Sequence, residues 1–172
     1  DMRKREHKSE SFLKLNPNGK VPCIVEDGQF VLWESLAINY YLADKYRPAL
    51  LGKDVQERAR VQQWSTWALV ELQPPMVDML IQLVFVPEEK RNLDLIERSR
   101  AKLPALFQVL ERWMDGKQFI AGDSFTLADI NVGSVVNIAS ALQFSLSDYP
   151  NVMRWQTALK SRPSFKKFAD QR

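Results

Sequence analysis

Three small groups of residues carry most of the polar chemistry this chain could perform. Val21-Pro22 stands at the head of an apolar run, Cys23-Ile24-Val25. A proline there is tolerated as an ordinary trans residue at a strand start. In the cis form, found in about 5–6% of X-Pro bonds in folded proteins, it would turn the Val21 amide and carbonyl outward, free to pair with a peptide. Glu34-Ser35 opens an apolar-periodic stretch. Ser35 suits a helix N-cap, which alone would explain it. The same helix start also offers unpaired amides and a positive dipole end to a carboxylate, and Glu34 beside it could hold an ammonium. His7-Lys8 and Lys20 form the third group. They are either a solvated basic surface or the partners of a second carboxylate. Taken together, the three groups could grip a small anionic peptide by its backbone and its charged ends.

Other chemistries find little support. His7 is the only histidine, which argues against a Ser-His-Asp triad or a histidine-rich metal site. No phosphate-cradling glycine loop is present. Cys23 is the only cysteine, so no intrachain disulfide framework exists and a reducing compartment is expected. Inside an apolar strand it reads as a small buried hydrophobe rather than a nucleophile.

The elements that must position these residues follow from local signals. Asp27-Gly28 reverses the chain as a two-residue type I′ hairpin would, pairing a strand after Pro22 with Phe30-Val31-Leu32-Trp33. A short helical turn is expected around 11–15, ended by the cluster Asn16-Pro17-Asn18-Gly19. A helix should run from Ser35 to about Lys45, with Ile38, Tyr41 and Leu42 on one face, and stop before Pro48. Beyond residue 54 the pattern is helical throughout. Pro74-Pro75 should bend or break the first of these helices. A second spans roughly 88–115, with Leu103, Leu106, Phe107, Leu110, Trp113 and Met114 on one stripe and Gly116 at its end. Thr126 followed by Asp129 reads as a capping box, flanked by Phe125 and Ile130 as a hydrophobic staple. The helix it opens, to about 142, carries no charge after Asp129 and should be buried on most sides. Pro150-Asn151 starts a last helix with Val152, Trp155 and Leu159 inward, closing near Arg162-Pro163.

At 172 residues with 45% hydrophobic and 26% charged content, the composition is that of a globular protein with a sizeable core. The net charge of +3 is uneven, with basic ends and an acidic middle. The basic residues alternate with core-type aromatics and match no nucleic-acid motif, so nucleic-acid binding is not expected. No run of about 18 apolar residues suggests a membrane span, and residues 1–5 lack a signal core. The organisation expected is a small α/β unit over 1–47, a linker over 48–53 and an all-helical unit over 54–172.

As an ordered set, these segments resemble the cytosolic glutathione transferases, of phi- or theta-like or bacterial class. The resemblance rests on Glu6-His7-Lys8, Phe12-Leu13-Lys14-Leu15-Asn16-Pro17, Gly19-Lys20-Val21-Pro22, Glu34-Ser35-Leu36-Ala37-Ile38, Tyr41-Leu42, Phe125-Thr126-Leu127-Ala128-Asp129-Ile130 and Pro150-Asn151-Val152 with Trp155. It covers essentially the whole chain. It implies a partial thioredoxin-like N-terminal domain joined to an all-helical one, and a cytoplasmic homodimer acting in detoxification. Glutathione would be the co-substrate, no metal would be needed, and the thiolate would be conjugated to a small hydrophobic electrophile. By motif position, Val21 would pair with the glutathione backbone beside a cis Pro22. Glu34 and Ser35 would hold the γ-glutamyl end, and His7, Lys8 and Lys20 would face the glycyl carboxylate. Thr126 and Asp129 would be structural. The resemblance also implies that the first strand, first helix and thiol-activating residue would lie before Asp1, so no catalytic residue is assigned. Weak glutathione binding and little turnover are expected of these residues alone. A non-catalytic binding or assembly module of the same fold, or a related glutathione-dependent reductase, isomerase or dehalogenase, are the alternative readings.

Overall fold

The computed structural model of the chain describes residues 1–2 and 4–169. It divides into two compact units, residues 1–51 and 52–172. The first is a β-hairpin with two helices. α1, Glu10–Leu15, starts at Ser9, whose hydroxyl accepts the Phe12 amide at 3.2 Å. β1, Cys23–Glu26, and β2, Phe30–Trp33, pair antiparallel, from Cys23 opposite Trp33 to Glu26 opposite Phe30. Asp27 and Gly28 both take positive φ, 50° and 71°, as a type I′ turn requires. The connection nevertheless has three residues, because Gln29 is added after the turn and Glu26 faces Phe30 instead. The expected two-residue loop is therefore one residue short.

α2, Ser35–Tyr46, packs on both strands and buries Ile38 and Ala43. Leu42, expected on the inner face, is exposed. The helix is fastened to the hairpin by one polar knot. Glu26 at the end of β1 receives the Tyr41 hydroxyl and the Lys45 ammonium, the latter at 2.6 Å. The Phe30 and Tyr41 rings lie 4.9 Å apart beside it. Lys45 and then Tyr41 hold the Glu26 carboxyl below its usual range, and the carboxylate raises Lys45 and Tyr41 in return. A 3-10 turn, Pro48–Leu51, packs back on α2 and ends the unit.

The second unit is helical among its described residues. α3, Val55–Trp67, is capped by Asp54, which accepts the Glu57 amide at 2.8 Å; that bond holds the Asp54 carboxyl low. The expected break at Pro74-Pro75 does not occur. A π turn, Ala68–Leu72, precedes them, and the prolines enter as the opening residues of α4, Gln73–Leu80. There the missing proline donors coincide with a change in hydrogen-bond pattern, so the helix absorbs them. With a second π turn, Ile81–Phe85, it runs unbroken over Val55–Phe85. By length and composition alone this segment is long and apolar enough to cross a membrane. One stripe of it, Val61, Trp64, Ala68, Leu72, Met76 and Met79, is buried in the core of this unit, while Val70, Ile81, Val84 and Phe85 are exposed.

α5, Leu93–Trp113, buries Ile96, Leu103, Phe107 and Leu110 against α4. It starts later than expected, since Glu88–Lys90 form a separate 3-10 turn. Gly116, at φ 65°, lies just past its end. α6, Leu127–Val136, is buried on most sides and is followed by a single turn, α7, Ile138–Ala141. α8, Pro150–Lys160, buries Val152, Trp155 and Leu159. Its first amides are satisfied from another helix, where Glu111 of α5 accepts from the Asn151 and Val152 amides at 3.1 and 3.0 Å. The chain does not stop at Arg162-Pro163. Pro163 instead opens α9, Pro163–Ala169, because a proline lacking its donor suits the first position of a helix as well as the end of one.

Candidate functional site

Two of the groups singled out in the sequence flank the same end of the hairpin. Each ladder pair advances one strand as it retreats along the other. The ladder ends at Cys23 opposite Trp33, so Pro22 enters the hairpin and Glu34 leaves it at the same end. Val21-Pro22 and Glu34-Ser35 thus adjoin one end of the hairpin although twelve or more positions separate them in sequence. The Val21–Pro22 bond is cis. Val21 is 54% exposed, and Glu34 and Ser35 are exposed as well.

Ser35 is not the N-cap it was expected to be. That position falls to Glu34, whose backbone takes φ 74° and ψ 116°, and no side chain caps the helix. The first backbone bond of the helix runs from the Ile38 amide to the Glu34 carbonyl at 2.9 Å. The amides of Ser35, Leu36 and Ala37 precede it, so they have no acceptor within the helix. A non-glycine residue holds positive φ at a cost, and such residues concentrate at ligand sites. The result is an exposed helix start with uncapped donors and a carboxylate at its edge.

The loop before Pro22 is organised by residues that sequence reasoning passed over. Asn16, only 2% exposed, donates from Nδ2 to the Lys20 carbonyl at 2.7 Å and accepts the Asn18 amide on Oδ1 at 3.0 Å. Its own carbonyl accepts the Gly19 amide at 2.9 Å. The asparagine therefore fixes the backbone immediately ahead of Val21. Its sequence signals were membership of a turn cluster and of a segment that carries the family resemblance. Gly19, at φ 58°, is the second such residue. A Cβ there would lie 2.9 Å from Lys8 Nζ and 3.1 Å from the His7 carbonyl. The 3-10 turn Glu6–Lys8 rests closely against the loop at that position. This brings Lys8 to the residue next to Lys20. His7 Nδ1 is buried and has no hydrogen-bond partner among the described residues. Cys23 is half-buried rather than buried.

Thr126 and Asp129 form the expected capping box, but Asp129 does more than close it. Its Oδ2 accepts the Thr126 amide at 3.0 Å and the Thr126 hydroxyl at 3.3 Å. Its Oδ1 accepts the Ile120 amide at 3.1 Å and the Trp155 indole N–H at 2.9 Å. One carboxylate ties the loop before α6, the start of α6 and α8 together. Burial pushes this carboxyl up, and the donors around it act the other way. It belongs to the scaffold of the helical unit. Among the described residues, no group of three His, Cys, Asp or Glu side chains is placed to hold a metal ion.

Comparison with known proteins adds to this geometry. Residues 1–44 match the family model described as glutathione S-transferase, N-terminal domain, and residues 72–163 match glutathione S-transferase, C-terminal domain. The chain is 32% identical to glutathione S-transferase F9 of Arabidopsis thaliana over 182 aligned positions, covering 96% of this chain and 80% of that protein. It superposes with a TM-score of 0.90 on the glutathione transferase URE2P5 of Phanerochaete chrysosporium, at 31% identity over 99% of this chain and 80% of the other. With glutathione S-transferase-I bound to lactoylglutathione the TM-score is 0.86, at 31% identity over 99% and 83% of the two chains. Two matched domains in order, on a hairpin and helix followed by a helical unit, place this chain in the glutathione S-transferase family.

Proposed function

We propose that the hairpin end is a glutathione site and that the protein conjugates the glutathione thiolate to small hydrophobic electrophiles. The observation that carries the reading is that Val21-Pro22 and Glu34-Ser35 flank the same end of the hairpin, where Cys23 pairs with Trp33. Glutathione offers a backbone flanked by two charged termini. The Val21 amide and carbonyl would pair with its cysteinyl backbone, as one more strand added at an open edge. The γ-glutamyl carboxylate would sit on the uncapped amides at the start of α2, where N–H groups and the helix dipole favour an anion. Glu34 would hold the γ-glutamyl ammonium. His7, Lys8 and Lys20, gathered by Gly19 and Asn16, would face the glycyl carboxylate, which suits cations as point charges. Held at both ends, the tripeptide presents its thiol at a fixed point. A free thiol has a pKa of about 8.5. Conjugation needs the thiolate, because that is the form that attacks the electrophile. None of residues 1–172 is assigned the role of activating it.

The same reading takes the protein as a cytoplasmic homodimer, with residues 1–47 as the glutathione-binding domain, 48–53 as a linker and 54–172 as the helical domain. The test is calorimetric titration with glutathione. Saturable binding that falls at least tenfold in Ser35→Ala and in Glu34→Ala supports the site. Binding unchanged in both variants refutes it. Binding without turnover of chlorodinitrobenzene by the chain extended to the length of its relatives would favour a non-catalytic module.

A further inference from the structure

The loop ahead of Val21 holds a reactive pair that glutathione binding does not call on. Asn18 is followed by Gly19, so its side-chain amide and the next backbone nitrogen can meet with no Cβ in the way. The other asparagines are worse placed. Asn16 precedes Pro17, which has no N–H. Asn39, Asn92, Asn131, Asn137 and Asn151 are each followed by a β-branched, leucine or tyrosine side chain. Asn16 also holds both members of the pair. Its Oδ1 accepts the Asn18 backbone amide at 3.0 Å and Asn18 Nδ2 at 3.2 Å. Its carbonyl accepts the Gly19 amide at 2.9 Å. Asn16 and Gly19 are buried, while Asn18 is exposed. Lys8 Nζ stands 2.9 Å from where a Gly19 Cβ would be.

We propose that Asn18 is a site of spontaneous deamidation, restrained by Asn16, and that its conversion weakens the glutathione site. The second part rests on the reading of the hairpin end as that site; the first does not. The Gly19 nitrogen attacks Asn18 Cγ. A C–N bond forms, the Cγ–Nδ2 bond breaks, and the side-chain nitrogen leaves as ammonia with the proton the Gly19 amide gives up. Water then opens the cyclic imide. Opening at one carbonyl gives aspartate at position 18. Opening at the other gives isoaspartate, in which the main chain runs through Cγ and is longer by one carbon. Only water is consumed. In the closed loop Asn16 engages both reacting groups, so attack requires a local opening of the kind surface turns undergo. Either product sets a carboxylate beside Gly19, on which Lys8 rests, and two residues before Lys20. It offers those ammonium groups an internal partner and repels the carboxylate of a ligand. The isoaspartate form also displaces Gly19 from beneath Lys8, through its added backbone atom.

The test incubates the full chain in mildly alkaline buffer and maps its peptides by mass, with isoaspartate scored by enzymatic methylation. Conversion is expected at Asn18 ahead of every other asparagine. The same chain unfolded in urea should convert there at least tenfold faster, and folded Asn16→Ala, checked by circular dichroism, at least threefold faster. The converted chain, separated by ion exchange, should bind glutathione at least fivefold more weakly by calorimetry. Asn18→Gln, whose longer side chain closes such a ring far less readily, should keep its own affinity through the same incubation. Asn18 left intact while another asparagine converts would overturn the proposal. Equal rates in the folded and the urea-unfolded chain would refute the restraint even if Asn16→Ala failed to fold. Equal glutathione affinity before and after conversion would refute the consequence. A parent chain that binds no glutathione overturns the second part together with the reading of the hairpin end, and the first part is then decided by mass alone.

Discussion

Replacing Asp129 by asparagine keeps the shape of the side chain and removes one of its two acceptor oxygens. The carboxylate receives four donors, two on each oxygen. An asparagine would serve best with its oxygen toward Ile120 and Trp155 and its NH₂ toward Thr126, where the hydroxyl can rotate to accept. The Thr126 amide is then stranded in a fully buried position. One stranded buried donor costs about 1–3 kcal/mol, and the remaining bonds lose their charge assistance, so about 2–4 kcal/mol is expected in total. Asp129→Ala strands all the donors and should cost about 4 kcal/mol or more. Thr126→Ala leaves the Thr126 amide on the carboxylate and should cost about 1 kcal/mol. Reversible urea unfolding followed by circular dichroism at neutral pH would rank the three. Asp129→Asn within about 0.5 kcal/mol of the parent, or no more costly than Thr126→Ala, would refute the assignment of Asp129 as the node joining α6 and α8.

Further outcomes are expected elsewhere. Gly19→Ala places a Cβ at positive φ against Lys8 Nζ. A cost of about 1–2 kcal/mol from the left-handed backbone and several-fold weaker glutathione binding are expected; unchanged binding would show that Lys8 need not approach the loop. Asn16→Ala releases the Lys20 carbonyl, and calorimetry should find glutathione affinity reduced with the helical unit's urea transition unmoved. The Glu26 carboxyl is held low by Lys45 and Tyr41. Its folded value lies below the unfolded one, so its stabilising effect is present above the ordinary glutamate value of about 4.3 and lost as pH falls through the depressed value. Nuclear magnetic resonance titration should show the contacts between α2 and the hairpin loosening in that acid range; the same profile in Glu26→Gln would count against this knot.

The local elements of this chain were legible in its residues because their signals are local. Asp27-Gly28 announces a reversal, since both positions tolerate positive φ. Thr126 with Asp129 announces a helix start, since a side chain and an amide three residues apart must meet there. The stripe Leu103, Phe107, Leu110 and Met114 announces a buried face by its spacing. The nearness of Val21-Pro22 to Glu34-Ser35 was inferred from a resemblance, and the hairpin brings both segments to one end, where Cys23 pairs with Trp33. What sequence reading missed depends on partners remote along the chain. Pro74-Pro75 does not break its helix, because the backbone widens into a π turn just before it, a response no propensity encodes. Glu111 caps α8 from forty residues away. Asp129 receives Trp155, a residue of another helix, so a motif read as a local box is a junction. Gln156 Oε1 of α8 is left without a hydrogen-bond partner among the described residues where α8 packs on Gly133 of α6. Local chemistry determines which segments turn, cap and bury a face. Only packing decides which donors and acceptors meet, and which are left without a partner.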